Sequence, residues 1–296
     1  MDSCSKPANV IYILGVARSG STILEILLSN GKKCFGAGEL TYVVQDGFIE
    51  NRMCACHERF SDCQYWGEIK NRLDEKINDY HEWSRLQLKI DWHSGFLRQL
   101  LFALSKQELN LYKDLNCELL KEIQKSTGAE TVIDSSKYAG RALALSRILE
   151  DRLHVICLTR SPEGLMESFQ KQNKDEQKSK SPLSVVVYYF ISLASLRVVS
   201  MLLRDRVHHV RYETLVEDPV DVLESIGEKS GVDFSSTCQI LQDDESFDVG
   251  HLVTGNRLRF KGQVKFSPQH SGDGQSRLST RLILAVMRAW RWLLRF

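Results

Sequence analysis

The stretch from Val10 to Gly31 constrains this chain more than any other. Val10-Ile11-Tyr12-Ile13-Leu14 is a short, β-branched apolar run, which reads as a buried strand of a parallel sheet. An apolar helical stretch from Ile23 closes on Asn30-Gly31, residues that end helices. Between strand and helix lies Gly15-Val16-Ala17-Arg18-Ser19-Gly20-Ser21-Thr22, a loop with glycine at both ends of its turn. Such a loop points several backbone N–H groups, and the positive end of a helix dipole, at one small volume. An anion belongs there, above all a phosphate.

The Gly15-to-Gly20 spacing is that of a P-loop, but Ser21 stands where the P-loop lysine would follow. In nucleotide triphosphatases that lysine bridges the β- and γ-phosphates. Here the loop's cation is Arg18, inside the loop, so the ligand is expected to differ from an ordinary magnesium-bound triphosphate.

Composition bounds the class. With 296 residues, 43% hydrophobic and 26% charged, the chain reads as an ordinary soluble globular protein. A formal net charge of +1 gives no global attraction to polyanions, so any basic site is local and no nucleic-acid partner is expected. The polar opening Met1-Asp2-Ser3-Cys4-Ser5 does not resemble a signal peptide, and a cytoplasmic location is the expectation. Eight scattered cysteines fit free thiols. Leu183 to Leu203 approaches membrane-spanning length, yet Arg197 and four serines interrupt it, favouring a buried helix. The amphipathic run Leu278 to Phe296 is expected to cover its own core, with a membrane surface or a partner as the alternative.

Further along, Lys33-Cys34-Phe35 reads as a second strand, ending in Gly36-Ala37-Gly38-Glu39, where glycines allow a turn that aims Glu39 into a cleft. A long, mostly helical insertion spans about 41–128. Within it Cys54, Cys56, His57 and Cys63 make a Cys₃His set on paper. The Cys-x-Cys spacing is tight and no second pair follows, so reduced thiols or a local disulfide read at least as well, and no metal is assigned. A third strand, Glu130 to Ile133, runs into Asp134-Ser135-Ser136-Lys137; Asp134 resembles a magnesium-holding aspartate, and Lys137 falls on the ligand-binding edge of the sheet. The fourth strand, Leu153 to Thr159, ends in Arg160-Ser161-Pro162, and Ser168 follows about two turns into the next helix. Lys171 to Lys180 reads as a polar, lysine-rich loop. A fifth strand, Val207 to Arg211, precedes a turn containing Glu213. Arg257, Arg259 and Lys261 cluster around a Gly-Asn turn as a candidate phosphate clamp.

Five strands alternating with helices predict an α/β fold: a P-loop-type, doubly wound parallel sheet flanked by helices, forming one domain over 1–296. Two separated anion pockets on one sheet edge call for a ligand phosphorylated at both ends. An adenosine with a 5′ anion and a 3′ phosphate meets that requirement.

On these residues the chain resembles the sulfotransferases that use 3′-phosphoadenosine 5′-phosphosulfate (PAPS). Arg18-Ser19-Gly20-Ser21-Thr22 is similar to their 5′-phosphosulfate loop, and Arg160 with Ser168 to their 3′-phosphate pair. Gly36-Ala37-Gly38-Glu39 resembles the segment that carries the catalytic base in the tyrosylprotein-type branch. Asp134-Ser135-Ser136-Lys137, Arg211 to Leu215, Gly255 to Phe260 and the Cys54/Cys56/Cys63-Tyr65-Trp66 stretch resemble segments of bacterial-type and Golgi-type members. The likeness spans about 9–70 and 130–262. Ala17 and Ser161 depart from it, standing where proline and aspartate are usual.

The resemblance implies in-line sulfuryl transfer without a required metal. Glu39 would be the base, with His57 or His251 as the competing choice. Arg18 and Lys137 would offset charge; Ser19 to Thr22 would hold the 5′ end. Arg160 and Ser168, with Arg257 or Arg259, would fix the 3′-phosphate. The acceptor would carry a hydroxyl: a carbohydrate, a lipid, a peptide tyrosine or a small metabolite. Two rival readings are a magnesium-ATP kinase of small metabolites and a non-catalytic binding module.

Overall fold

A computed structural model describes residues 8–170, 182–267 and 278–296; the lysine-rich loop read at 171–180 lies outside them. Five parallel strands form the main sheet in the order β2-β3-β1-β4-β5. They are β1 Asn9–Gly15, β2 Cys34–Gly36, β3 Thr131–Lys137, β4 Leu153–Thr159 and β5 Val207–Arg211. The five-stranded parallel α/β sheet expected from the sequence is the one observed. A small antiparallel hairpin, β6 Ser246–Asp248 and β7 Gln263–Lys265, was not legible there.

Helices follow the strands: α1 Ser21–Ser29, then α2 Trp66–Asp74, α3 Tyr80–Asp91, α4 His93–Leu100 and α5 Lys106–Thr127 in the insertion. After β3 come α6 Ala139–Leu149, α7 Pro162–Gln170 and α8 Pro182–Leu203. The chain continues through α9 Tyr212–Glu217, α10 Pro219–Ser230 and α11 Ser235–Gln242 to α12 Leu278–Leu293.

Strand alternation divides the core. Val10, Tyr12 and Leu14 of β1 face one apolar cluster, with Val132, Val155, Cys157 and the insertion helices. Ile11 and Ile13 face the other, with Ile133, Ile156, Leu158, α1 and α10. Both faces of the strand are buried, so the period-two pattern of half-exposed strands is absent. Each fully buried Ile or Leu contributes roughly 1.5–3 kcal/mol.

Helix α8 buries Val185, Tyr189, Leu193, Leu196 and Val199 and exposes Leu183, Val187 and Ile191. Its Ser195 and Ser200 hydroxyls donate to the carbonyls of Ile191 and Leu196, both at 2.8 Å. Leu183–Arg206 is long and apolar enough to cross a membrane by length and composition; in this fold one of its faces is core. Helix α12 buries Leu284 and Met287, packs Trp290 at a tilt against Phe190, and ties Arg288 to Glu163 at 2.6 Å. Covering the core, the first reading of this run, is what its inner face does.

Six cysteines, 34, 54, 56, 63, 157 and 238, are free thiols.

Candidate active site

The first strand delivers the chain into a tight turn over the start of α1. Arg18 and Gly20 both adopt left-handed backbone, with φ of 68° and 94°. Gly20 is required twice over: a Cβ there would lie 2.3 Å from the Tyr212 ring, and the positive φ penalises any side chain. Among the described residues no protein group accepts the N–H of Arg18, Gly20, Ser21 or Thr22. Ser19 is fully buried and its hydroxyl has no hydrogen-bond partner. An orphaned hydroxyl and open helix N–H groups are what an anionic ligand would satisfy. Ala17 donates its N–H to the Tyr188 hydroxyl at 2.9 Å, an anchor between this loop and α8.

The neighbouring strand presents Lys137. Between Tyr12 and Leu14 the β1–β3 register slips, Tyr12 pairing with Asp134 and Leu14 with Lys137. This bulge re-aims the strand end, and Lys137 emerges with φ of 72°. Its ammonium lies 2.5 Å from Glu39 Oε1 and 3.0 Å from the Ser135 carbonyl. Glu39 and Lys137 are 15% and 16% exposed, accessible to a small ligand while shielded from bulk water.

What aims Glu39 is a residue that sequence reasoning missed. Glu25, buried on α1, accepts the Gly38 N–H and the Ser135 hydroxyl, each at 2.6 Å. Burial raises its pKa to about 8, against the lowering effect of those two bonds and of Lys137. One glutamate on an apolar helix gives no local sign of such a role. Gly38, with φ of 78°, lies so close to Val253 that a Cβ would meet its nitrogen at 2.5 Å. The chain between β6 and β7 therefore returns against this segment: Val253 donates to the Ala37 carbonyl at 3.2 Å. A Cβ on Gly255 would be 3.6 Å from Thr22 Oγ1 and 3.9 Å from Glu39 Oε1.

Arg160, at the end of β4, donates to the Arg18 carbonyl at 3.0 Å and lies over the Tyr212 ring, 4.3 Å from its centroid. Tyr212 thus separates Gly20 from Arg160. Ser161, the departure from aspartate, accepts the Gly164 N–H at 3.2 Å, the capping function either residue supplies. Its own N–H goes to Glu213 at 2.8 Å, so Glu213 orients the turn after β5. Ser168 is half-buried in the last turn of α7. Arg257 is exposed, whereas Arg259 donates to the Val253 carbonyl and lies over Phe260, so Arg259 braces the returning loop.

Two sequence readings are corrected. Asp134 is fully buried and bonded to Arg141 at 2.6 Å and to Ser136. It belongs to a buried network with Asp91 and Tyr112, so it is spent on structure rather than open to magnesium, which weighs against the kinase reading. His57 packs on Phe260, away from the thiols; His251 takes the place beside Cys63, at 3.2 Å.

An aromatic wall, also unforeseen, stands by Glu39. The Tyr42 and Tyr138 hydroxyls meet at 2.5 Å, and His93 packs edge-on to Tyr138 and Tyr188. Burial lowers the His93 pKa and raises those of Tyr42 and Tyr138.

The model of the sulfotransferase family matches residues 10–236, and the chain belongs to that family. No curated protein matches it. Among solved structures, sulfotransferase STF9 from Mycobacterium avium is similar with a TM-score of 0.51 and 11% identity over 98% of this chain and 77% of that one. The sulfotransferase domain of the Synechococcus PCC 7002 olefin synthase gives 0.48 and 21%, over 96% of each chain. Mouse sulfotransferase SULT7A1 complexed with PAP gives 0.46 and 10%, over 99% of this chain and 91% of that one. At 11% identity, the likeness to STF9 is one of fold.

Proposed function

We infer that this sulfotransferase moves a sulfuryl group from PAPS to a hydroxyl or amine acceptor, working as one domain over 1–296. The observation that carries the reading is the Lys137–Glu39 pair, 2.5 Å apart, facing a loop in which the N–H groups of Arg18, Gly20, Ser21 and Thr22 and the buried Ser19 hydroxyl have no partner among the described residues. A base and a cation side by side, next to an anion cradle, are the parts that in-line group transfer needs.

The donor supplies a sulfonate on a good leaving group. Glu39 takes the acceptor proton. Lys137 turns from Glu39 to the bridging oxygen, offsetting charge as the bond to sulfur breaks. Arg18 and the N–H groups of Ser19 to Thr22, with the Ser21 and Thr22 hydroxyls, hold the 5′ end. Arg160 and Ser168 take the 3′-phosphate, joined by Arg257 or Arg259 from the returning loop. The reaction as written draws on no metal, because a transferring sulfuryl group carries less charge than a phosphoryl group.

Tyr42, Tyr138, Tyr188 and His93 form the acceptor side. A carbohydrate, a lipid, a peptide tyrosine or a small metabolite each fits a wall of aromatic faces with hydroxyl edges. The outer face of α12, with Leu282, Val286 and Trp292 exposed, is a surface on which a membrane-borne acceptor could rest. Transfer of radiolabel from ³⁵S-labelled PAPS to an acceptor library tests the function. Labelled product dependent on Glu39 supports it; hydrolysis or no turnover across all four acceptor classes counts against it.

A further inference from the structure

Cys54, Cys56, Cys63 and His251 offer four ligand atoms that all lie within 4.8 Å of one another. The Cys63 and Cys54 sulfurs are 3.7 Å apart, and His251 Nδ1 is 3.2 Å from Cys63 Sγ and 3.9 Å from Cys54 Sγ. With metal–sulfur bonds of about 2.3 Å and metal–nitrogen bonds of about 2.0 Å, a tetrahedron puts its sulfurs about 3.8 Å apart and sulfur and nitrogen about 3.6 Å apart. The sulfur–sulfur distance, 3.7 Å, is close to the first value, and the two sulfur–nitrogen distances, 3.2 and 3.9 Å, lie on either side of the second. A disulfide would bring two sulfurs to about 2.0 Å and leave the third thiol and the imidazole behind.

The backbone supports the same geometry. Backbone N–H groups lie close to each sulfur: Cys56 by Cys54, Glu58 by Cys56, and Trp66 and Tyr65 by Cys63. Turns of this kind present thiolates outward while stabilising their charge. Cys54 and Cys63 are buried and Cys56 and His251 half-buried, so four protein ligands close the site with no position left for substrate. The Trp66 indole donates to the His251 carbonyl at 2.6 Å, and the Tyr65 ring packs edge-on to its imidazole.

We propose that these residues form a structural Cys₃His zinc site that staples the β6–β7 loop, through His251, to the insertion. Three thiols enter as thiolates and release their protons to solvent, with the imidazole bound as the neutral ring. Softness and four-coordinate geometry select zinc among the common divalent ions. Its mechanical role follows from the chain path. His251 lies four residues before Gly255, which sits over Thr22 and Glu39, so the staple fixes the loop that covers the site.

The test is elemental analysis of the full chain, purified without chelator, by inductively coupled plasma mass spectrometry. About one zinc per chain is expected, released in step with mercurial titration of thiols. Cys63→Ser and His251→Asn should each cut the zinc content at least about tenfold, the scale set by losing one ligand. Because these variants remove buried groups and can fail to fold, the wild-type protein carries the decision. Zinc below a tenth of a mole per mole after growth in zinc-supplemented medium, stoichiometric iron or copper instead, or an intact mass showing a disulfide among the three cysteines would each overturn the proposal. Metal content is read whether or not the protein turns over PAPS, so this site and the transfer reaction fail independently.

Discussion

Glu25 accepts the backbone N–H of Gly38 at 2.6 Å, and through that one bond a buried carboxyl on α1 fixes the residue preceding Glu39. Its second oxygen takes the Ser135 hydroxyl, two residues before Lys137. One side chain thus registers both strand ends that carry the reacting pair. Glu25→Ala should leave two buried donors unsatisfied, costing about 1–3 kcal/mol of stability, seen as a lower Tm. Glu25→Gln keeps the shape, its Oε1 accepting from Gly38 while its Nε2 donates to the Ser135 hydroxyl oxygen, and should fold.

The same residue sets a pH dependence. Its folded pKa, about 8, lies above the unfolded value, so between these values the native state holds a proton that the unfolded state releases. Stability from this group is therefore greatest in acid and falls as pH rises to about 8. Thermal unfolding of Glu25→Gln against wild type should show a difference that grows in favour of the variant from pH 5 to pH 8. A difference that stays constant, or shrinks, contradicts the assignment.

Arg160 stacks on Tyr212, and its proposed partner is the 3′-phosphate. Arg160→Ala should weaken adenosine 3′,5′-bisphosphate by about 2 kcal/mol, roughly thirtyfold, the scale of a lost charge-assisted bond. Binding of AMP, which lacks the 3′ group, should change little. Calorimetric titration of both nucleotides separates this from general damage, which would weaken both alike.

Gly20→Ala tests whether the two ends of the site are linked through Tyr212. An added Cβ at 2.3 Å from that ring must displace it, and the ring supports Arg160. The expected outcome is weaker binding of both AMP and the bisphosphate, with the 3′ preference also reduced. A variant that keeps wild-type preference would show that Tyr212 yields without moving Arg160.

Glu39→Gln should lower turnover by roughly 10²-fold or more, as for a lost general base, while bisphosphate affinity stays within a fewfold of wild type. Unchanged turnover would remove Glu39 from the chemistry.

Much of this was legible locally. The strand-loop-helix at Val10–Gly31 announces its own geometry because each residue's role depends on close neighbours; so does Arg160-Ser161-Pro162 at a strand end. Lys137 was singled out by its position at a strand end, although the bulge that aims it was not legible. What escaped the sequence depends on distant partners. His251 reads as a solitary histidine until the fold brings it to thiols 188 and 197 positions earlier, and the neighbour His57 was the natural substitute on spacing alone. Asp134 ends a strand as a magnesium ligand would, but Arg141 and Ser136 claim it. The aromatic wall of Tyr42, Tyr138 and Tyr188 draws on three separate segments, none with a periodicity of its own.

Equilibrium titration of the purified protein with adenosine 3′,5′-bisphosphate, without added magnesium, and separately with magnesium-ATP, tests the central claim most directly. Saturable binding of the bisphosphate, tighter than AMP and indifferent to magnesium, is the predicted result. Binding of magnesium-ATP with no response to the bisphosphate would contradict it.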